Sequence, residues 1–336
     1  MRARIMRIKA ELALTIILLV LFLTSCIYVD EGRSEDFDCI FYLINSGPED
    51  DFFKILKQGA EDAASEMNIK LETRALRIAN NAVAQLEYIN EAENAGARGI
   101  TISPVNDPKV EEKLKDLRLH GVVINSFDRR VDKEICDITV GTDSYESGEI
   151  AARRGIEAIG GSGEILVVTN GVSRRSVDRA NGFTSYLEAL PIDKKTSLSI
   201  SDTVTDDATK DDAKNKVKES LKGHPDVKLI FATGSAELCG AYEAVSELKL
   251  DGIELIGFDV TDQTKELLQN KSIYGLLIPV PYNVGYLSIR YLKKLALNEA
   301  VDDTINSGVR FIKAEDAYAE DSKVLLSASL NEEVKP

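Results

Sequence analysis

From Asp38 onward one unit recurs along the chain: a short apolar, β-branched run followed by a longer amphipathic stretch. That alternation limits the fold more than any other feature, because strands joined through helices make right-handed βαβ crossovers and a parallel sheet. The first run is Asp38–Ile44. Residues Phe52, Ile55, Leu56, Ala60, Ala63, Ala64 and Met67 then fall at helical spacing, predicting a helix over Asp51–Met67. Strands follow at Lys70–Leu76, Gly99–Ser103 and Val122–Ser126, with helices at Asn80–Ala95 and Pro108–Leu119 between them. A second series begins at Thr139–Asp143. Its strands are Glu164–Thr169, Thr196–Asp202, Lys228–Ala232, Glu254–Phe258 and Ser272–Leu277. Its helices are Ser147–Ile159, Val177–Leu190, Ala208–Lys222, Ala236–Leu248 and Asp262–Gln269. About ten strands suit two doubly wound sheets better than one, which makes the fold class α/β with two parallel-sheet lobes. Ligands of such sheets sit beyond the carboxyl ends of the strands, so the segments that matter are 45–53, 103–107, 126–130, 170–179, 203–208, 233–237, 259–263 and 278–283.

The start of the chain reads differently. Arg2, Arg4, Arg7 and Lys9 against Glu11 give the first 25 residues a net +3, which leaves −18 of the total −15 on the remainder. A basic start, an apolar run from Leu12 to Leu23 and then Leu23-Thr24-Ser25-Cys26 has the form of an export signal. The end of that run resembles the lipobox of bacterial lipoproteins, which implies a signal peptide over 1–25, cleavage before Cys26 and lipid on Cys26. The rival reading is an uncleaved membrane anchor, since Leu12–Val29 is free of charge and just long enough to span a bilayer. Either way the basic residues stay inside and the rest lies outside the cytoplasm. The acidic ectodomain argues against nucleic acid, which needs a basic surface. Two His and four Cys among 336 residues leave little for a metal site, a histidine relay or a disulfide scaffold. Free buried thiols are the simplest account of Cys39, Cys136 and Cys239, and one disulfide among them is the alternative.

A series of short matches, in order, resembles the type I periplasmic sugar-binding proteins, the ribose, galactose and xylose binders. They are Ile44-Asn45-Ser46 with Asp51-Phe52-Phe53, a helix carrying Gly59-Ala60, Gly99-Ile-Thr-Ile-Ser-Pro104, and Phe127-Asp128-Arg129. Gly141-Thr-Asp143 with Gly148, Arg179 with Gly182-Phe183, His224-Pro-Asp226 and Ile256-Gly-Phe258-Asp259 complete it, over about residues 38 to 315. The resemblance implies two lobes joined by three hinge crossovers, near Gly141–Asp143, Leu277–Pro281 and Ser307–Val309. After a linker (26–37), the N-terminal lobe is then 38–142 with 280–308, and the C-terminal lobe 143–279 with 309–328.

The same resemblance implies the ligand site. Carboxylates accept paired hydroxyl hydrogen bonds, guanidinium donates in a fork and aromatic rings cover sugar C–H faces. Asp128 and Arg129 match the family's sugar-contact pair, Phe52 and Phe53 its stacking aromatics, and Asp259 a sugar-binding carboxylate at a strand end. Ser46 and Asp50 complete the N-terminal half, with Asp50 where ribose binders carry Asn. Each has a plainer reading: a loop ion pair for Asp128 and Arg129, core packing for the phenylalanines, and a helix cap for Asp259, a task Thr261 could take instead. The C-terminal half departs from the pattern. Val177, Ala208, Gly234 and Pro279 stand where ribose binders place Arg, an aromatic, Asn and Gln. Arg174 or Arg175 could supply the missing guanidinium.

Other motifs carry no chemistry. Gly160-Gly161-Ser162-Gly163 follows a helix and precedes a strand, the wrong order for a phosphate cradle, and reads as a turn. Asp206-Asp207 with Asp211-Asp212 lacks the order of a calcium loop and reads as a solvated helix start. No catalytic or metal spacing emerges, so neither an enzyme nor a cofactor is expected. The functional expectation is a receptor that binds a monosaccharide, closes by hinge motion and presents the closed form to an ABC permease. The alternative is a sensory receptor that docks on a membrane histidine kinase or chemoreceptor.

Overall fold

Twelve strands of the described residues sort into two six-stranded sheets. The structure, a computed structural model, describes residues 39–127, 129, 131–191 and 197–327, all within one compact unit, Cys39–Pro336. The lipobox-like segment with Cys26 and the Asp128 side chain lie outside the described residues. The first sheet is ordered β11 (Thr304–Asn306), β5 (Ile138–Gly141), β4 (Val123–Phe127), β3 (Gly99–Ile102), β1 (Ile40–Ile44), β2 (Lys70–Arg74), all parallel. The second is ordered β12 (Val309–Lys313), β10 (Gly275–Pro279), β9 (Glu254–Phe258), β8 (Val227–Ala232), β6 (Gly163–Asn170), β7 (Leu198–Asp206). The α/β class with two doubly wound sheets is thus observed. One strand departs from the parallel rule: β12 runs antiparallel to β10.

Helices α1 (Asp51–Glu66), α2 (Ala82–Asn94) and α3 (Pro108–Leu119) follow the early strands of the first sheet. Helices α4 (Ser144–Ala158), α5 (Arg174–Glu188), α6 (Lys210–Gly223), α7 (Ser235–Leu248) and α8 (Asp262–Gln269) serve the second. Helix α9 (Pro281–Ala296) follows β10 yet packs on α1 and on β3 and β4 of the first sheet. Helix α10 (Glu320–Ser327) closes the described chain, and its Leu325 and Leu326 join the second sheet's core. The inner strands β1, β3, β4, β6, β8, β9 and β10 are buried on both faces, while the edge strands β2, β7, β11 and β12 are half-buried or exposed along much of their length. Ile100, Ile124, Leu114 and Leu117 make part of the first core, and Val168, Ile230, Leu255 and Leu276 part of the second. Phe183, Phe231 and Phe258 fill the opposite face of the second sheet, with Phe183 and Phe231 stacked at 4.4 Å.

Each lobe contains a helix pair in reciprocal backbone contact. In the first, a Cβ on Gly59 of α1 would overlap the Tyr282 carbonyl, and one on Gly285 of α9 the Leu56 carbonyl. In the second, Gly148 of α4 and Gly182 of α5 meet the backbone of Arg179 and Tyr145 in the same reciprocal way. Side chains seal the first pair: Tyr282 Oη donates to Asp62 at 2.9 Å and Lys293 Nζ to the Met67 carbonyl at 3.1 Å.

The chain passes between sheets three times: from Gly141 into α4, from Pro279 into α9, and from Asn306 to Val309. Two passages leave the carboxyl end of one sheet and enter a helix of the other lobe. The carboxyl edges of both sheets therefore adjoin the passages, which is where a ligand between the sheets would be held. The Gly160–Gly163 segment is a turn, with φ of 65°, 85° and 144° at its glycines. Cys39, Cys136 and Cys239 are buried and form no disulfide. No helix among the described residues is long and apolar enough to cross a membrane.

Candidate functional site

At the carboxyl edge of the first sheet, Ser46 beyond β1 and Ser103 beyond β3 join their hydroxyls at 3.1 Å. The buried Gln85 side chain holds the loop after β3, donating to the Ser103 carbonyl at 2.9 Å and accepting from Val105 N at 2.7 Å. Asp50 is the N-cap of α1: its Oδ1 accepts from Phe53 N at 2.8 Å, as a short acceptor before a helix should. The cap leaves its second carboxylate oxygen for other partners. Of the two phenylalanines, Phe53 is 2% exposed and belongs to the core, while Phe52 is half-buried. Arg129 lies beyond β4, but its guanidinium is already engaged. Nη2 donates to Asn106 Oδ1 at 2.7 Å and to Glu111 Oε1 at 3.0 Å, which ties the loop to α3.

The second sheet presents a denser cluster. Arg179 of α5 is 6% exposed and lies over the Phe258 ring, 3.9 Å from its centroid. Its Nη1 donates to Asp259 Oδ2 at 3.1 Å and to the Thr233 carbonyl at 2.8 Å. Asp259 just follows β9 at φ 68°, in the left-handed region. It is not the cap of α8. Thr261 is, through a reciprocal capping box with Thr264. Asn170, the last residue of β6, donates from Nδ2 to Glu237 Oε1 at 2.6 Å. Glu237, in the first turn of α7, is 2% exposed, and its Oε2 occupies the space that a Cβ on Gly234 would need. Burial raises the Glu237 pKa, against the hydrogen bond from Asn170.

Asp206 corrects the reading of its acidic run. Strand β7 continues four residues past Asp202, so Asp206 ends a strand and is 4% exposed rather than solvated at a helix start. Its Oδ1 accepts from Ala208 N at 2.7 Å, and its Oδ2 is buried without a partner. Burial, and then the charge of Glu237, push its pKa up to about 7. Arg174 pairs with Asp178 at 3.5 Å, and Arg175 lies exposed in the first turn of α5. The buried guanidinium of this lobe is instead Arg179, which the sequence shows only as part of a motif with Gly182-Phe183. Asn170 and Glu237 carry no sequence signal beyond falling in segments that follow strands. A surface groove on the side of α6 is lined by Asp202, Val204, Lys216 and His224. Among the described residues, no three His, Cys, Asp or Glu are grouped so as to hold a metal ion.

Two doubly wound lobes with polar side chains on their carboxyl edges and three passages between them define a two-lobed α/β binding protein. The chain belongs to the family described as Periplasmic binding protein domain, whose profile matches residues 41–300. It is 23% identical over 259 residues to the ribose import binding protein RbsB of Bacillus subtilis, covering 77% of this chain and 82% of that one. It is 20% identical over 251 residues to the D-allose-binding periplasmic protein of Escherichia coli, covering 72% and 79%. Among solved structures, AraP, an arabinose binding protein from Geobacillus stearothermophilus, aligns with a TM-score of 0.70 at 22% identity, covering 83% of this chain and 98% of its own. A mutant XylFII–LytSN complex aligns at 0.73 and 21% identity, covering 83% and 99%. These likenesses carry the fold.

Proposed function

We propose that the chain is an extracytoplasmic receptor for a monosaccharide, which it binds unaltered between the two sheets. Hinge closure about the three passages then presents the closed form to an ABC permease. The observation that supports this most is the pairing of two carboxyl edges, each with polar side chains already oriented: Ser46, Ser103 and Asp50 on one, Arg179 with Asp259 on the other. The half-buried Phe52 beside them suits the C–H face of a sugar ring. The relatives' names, ribose import and D-allose binding, point the same way. A thermal-shift panel of pentoses and hexoses tests it, because a ligand that binds only the folded state must raise its apparent stability. One sugar is expected to raise the melting temperature, and a flat panel would sink the sugar reading.

A second reading keeps the receptor and changes its partner to a membrane sensor kinase. It is favoured by the likeness to the XylFII–LytSN structure. A permease or a kinase encoded beside the gene separates the two. In both readings the N-terminal segment holds the receptor at the membrane through lipidated Cys26 or an uncleaved span. Mass spectrometry of the membrane-extracted protein distinguishes a chain that begins at a lipid-bearing Cys26 from one that retains residues 1–25.

A further inference from the structure

The second lobe's edge carries three carboxylates and one buried guanidinium, and that imbalance has a chemical consequence. Arg179 gives its Nη1 to Asp259 and the Thr233 carbonyl, while its buried Nε has no partner. Asp206 and Glu237 are left, 4% and 2% exposed. Glu237 sits in the first turn of α7, where the helix N-terminus favours its charge, and Asn170 gives Oε1 one hydrogen bond. Asp206 has less: one backbone N–H on Oδ1 and nothing on Oδ2. The cation that acts on Asp206 is Lys216, whose Nζ is engaged by the Thr205 carbonyl at 2.6 Å and Asp212 Oδ2 at 2.9 Å. Neither buried carboxylate is hydrogen-bonded to a cation, although Arg179 acts on Glu237 from a distance; for Asp206 Oδ2 in its charged form this costs free energy until a positive donor arrives. A metal ion does not fit, since no three-ligand group exists among the described residues. A neutral hydroxyl brings a donor but no charge. An ammonium brings three donors and the charge together.

We propose that the second-sheet half of the site takes a cationic nitrogen, so that the ligand is an amine-bearing monosaccharide rather than a neutral one. This rests on the receptor reading above. Asp206 Oδ2 and Glu237 receive the ammonium, and the first-sheet serines and Asp50 receive hydroxyls. The raised pKa of Asp206 reflects the same missing cation.

Calorimetric titration of the full-length protein at neutral pH, with glucosamine against glucose and galactosamine against galactose, tests the pairing. N-acetylglucosamine serves as a third, uncharged probe. An amino sugar is expected to bind about tenfold or more tighter than its parent. The preference is expected to vanish at about pH 9, where the amine is neutral. Asp206→Asn, which keeps the shape and removes the charge, is expected to collapse the ratio. A parent sugar that binds as well as its amino form overturns the inference and leaves the receptor reading standing. No binding by any sugar of the set overturns the inference, and the receptor reading then falls only if the pentose and hexose panel above is flat as well.

Discussion

A buried carboxylate without a counter-charge makes stability depend on pH in a direction opposite to that of a salt-bridged one. Asp206 has an ordinary value of 3.8 and about 7 in the folded chain, set by burial first and by Glu237 second, with Asp212 adding to the rise and Lys216 opposing it. Between those values the folded protein keeps a proton that the unfolded chain releases. The stabilisation is therefore complete below about pH 4 and is lost as pH rises through 7. Asp206→Asn is expected to flatten this decline and to be more stable than the parent at pH 8 by about 1–3 kcal/mol. Urea unfolding at pH 4, 6 and 8 measures it, and a variant that loses stability at pH 8 would show that Asp206 is compensated after all. Glu237, also raised by burial, keeps a residual slope of the same sign. Much of this site was not legible residue by residue. Asp259 is readable because it follows an apolar strand directly, and the Thr261 alternative for the helix cap was visible beside it. Asp206 is hidden because the other three acidic residues of its run, Asp207, Asp211 and Asp212, do behave as a helix start. Glu237 is hidden because a Glu in a first turn is ordinary; only the space left by Gly234 admits it inward.

At the scale of elements, strands with apolar runs are plain in the sequence and edge strands are not. Strand β7 pairs only with β6, and its Ser-Asp-Thr-Val-Thr-Asp end is polar because one edge has no neighbour to bury it. Strand β11, Thr-Ile-Asn, is too short for any period to register. The glycines behave differently. Gly59, Gly148 and Gly182 stand out in the sequence as parts of motifs, yet they serve helix packing: each removes a Cβ where two backbones touch. Gly285 does the same on α9 without a motif around it. Gly285→Val would drive a branched side chain into the Leu56 carbonyl and the Ala60 amide, neither of which can move without bending α1. Overpacking of this kind is expected to cost about 2–4 kcal/mol, read as a fall in the urea midpoint with an unchanged slope. A midpoint within experimental error of the parent would mean that α9 can slide on α1.

For the whole molecule the three passages are the part that motion must use, and one side chain ties two of them. Asn306, at the end of β11, accepts on Oδ1 from Asp143 N at 3.0 Å and from Gly308 N at 2.8 Å. Its Nδ2 donates to Glu146 Oε2 at 2.6 Å. The first and third passages are thereby clasped, and Asn283 of α9 adds the second by donating to the Ser307 carbonyl at 3.0 Å. A clasp of this kind resists splaying of the passages while leaving the sheets free to rotate about them, since none of its bonds reaches the strand interiors. The side chains that make it, Asn306, Glu146 and Asn283, are exposed, so each bond adds little to global stability, about 1 kcal/mol or less. Its effect belongs to local opening. Asn306→Ala should leave the global unfolding midpoint nearly in place. Amide exchange at Asp143 and Gly308, whose N–H groups lose their acceptor, should quicken about five- to tenfold, while the strand amides of β4 and β9 stay protected. Exchange that is unchanged at those two amides would mean that the passages are held by the lobes they join and not by the clasp. Closure would then be governed by the ligand's contacts with the two edges alone.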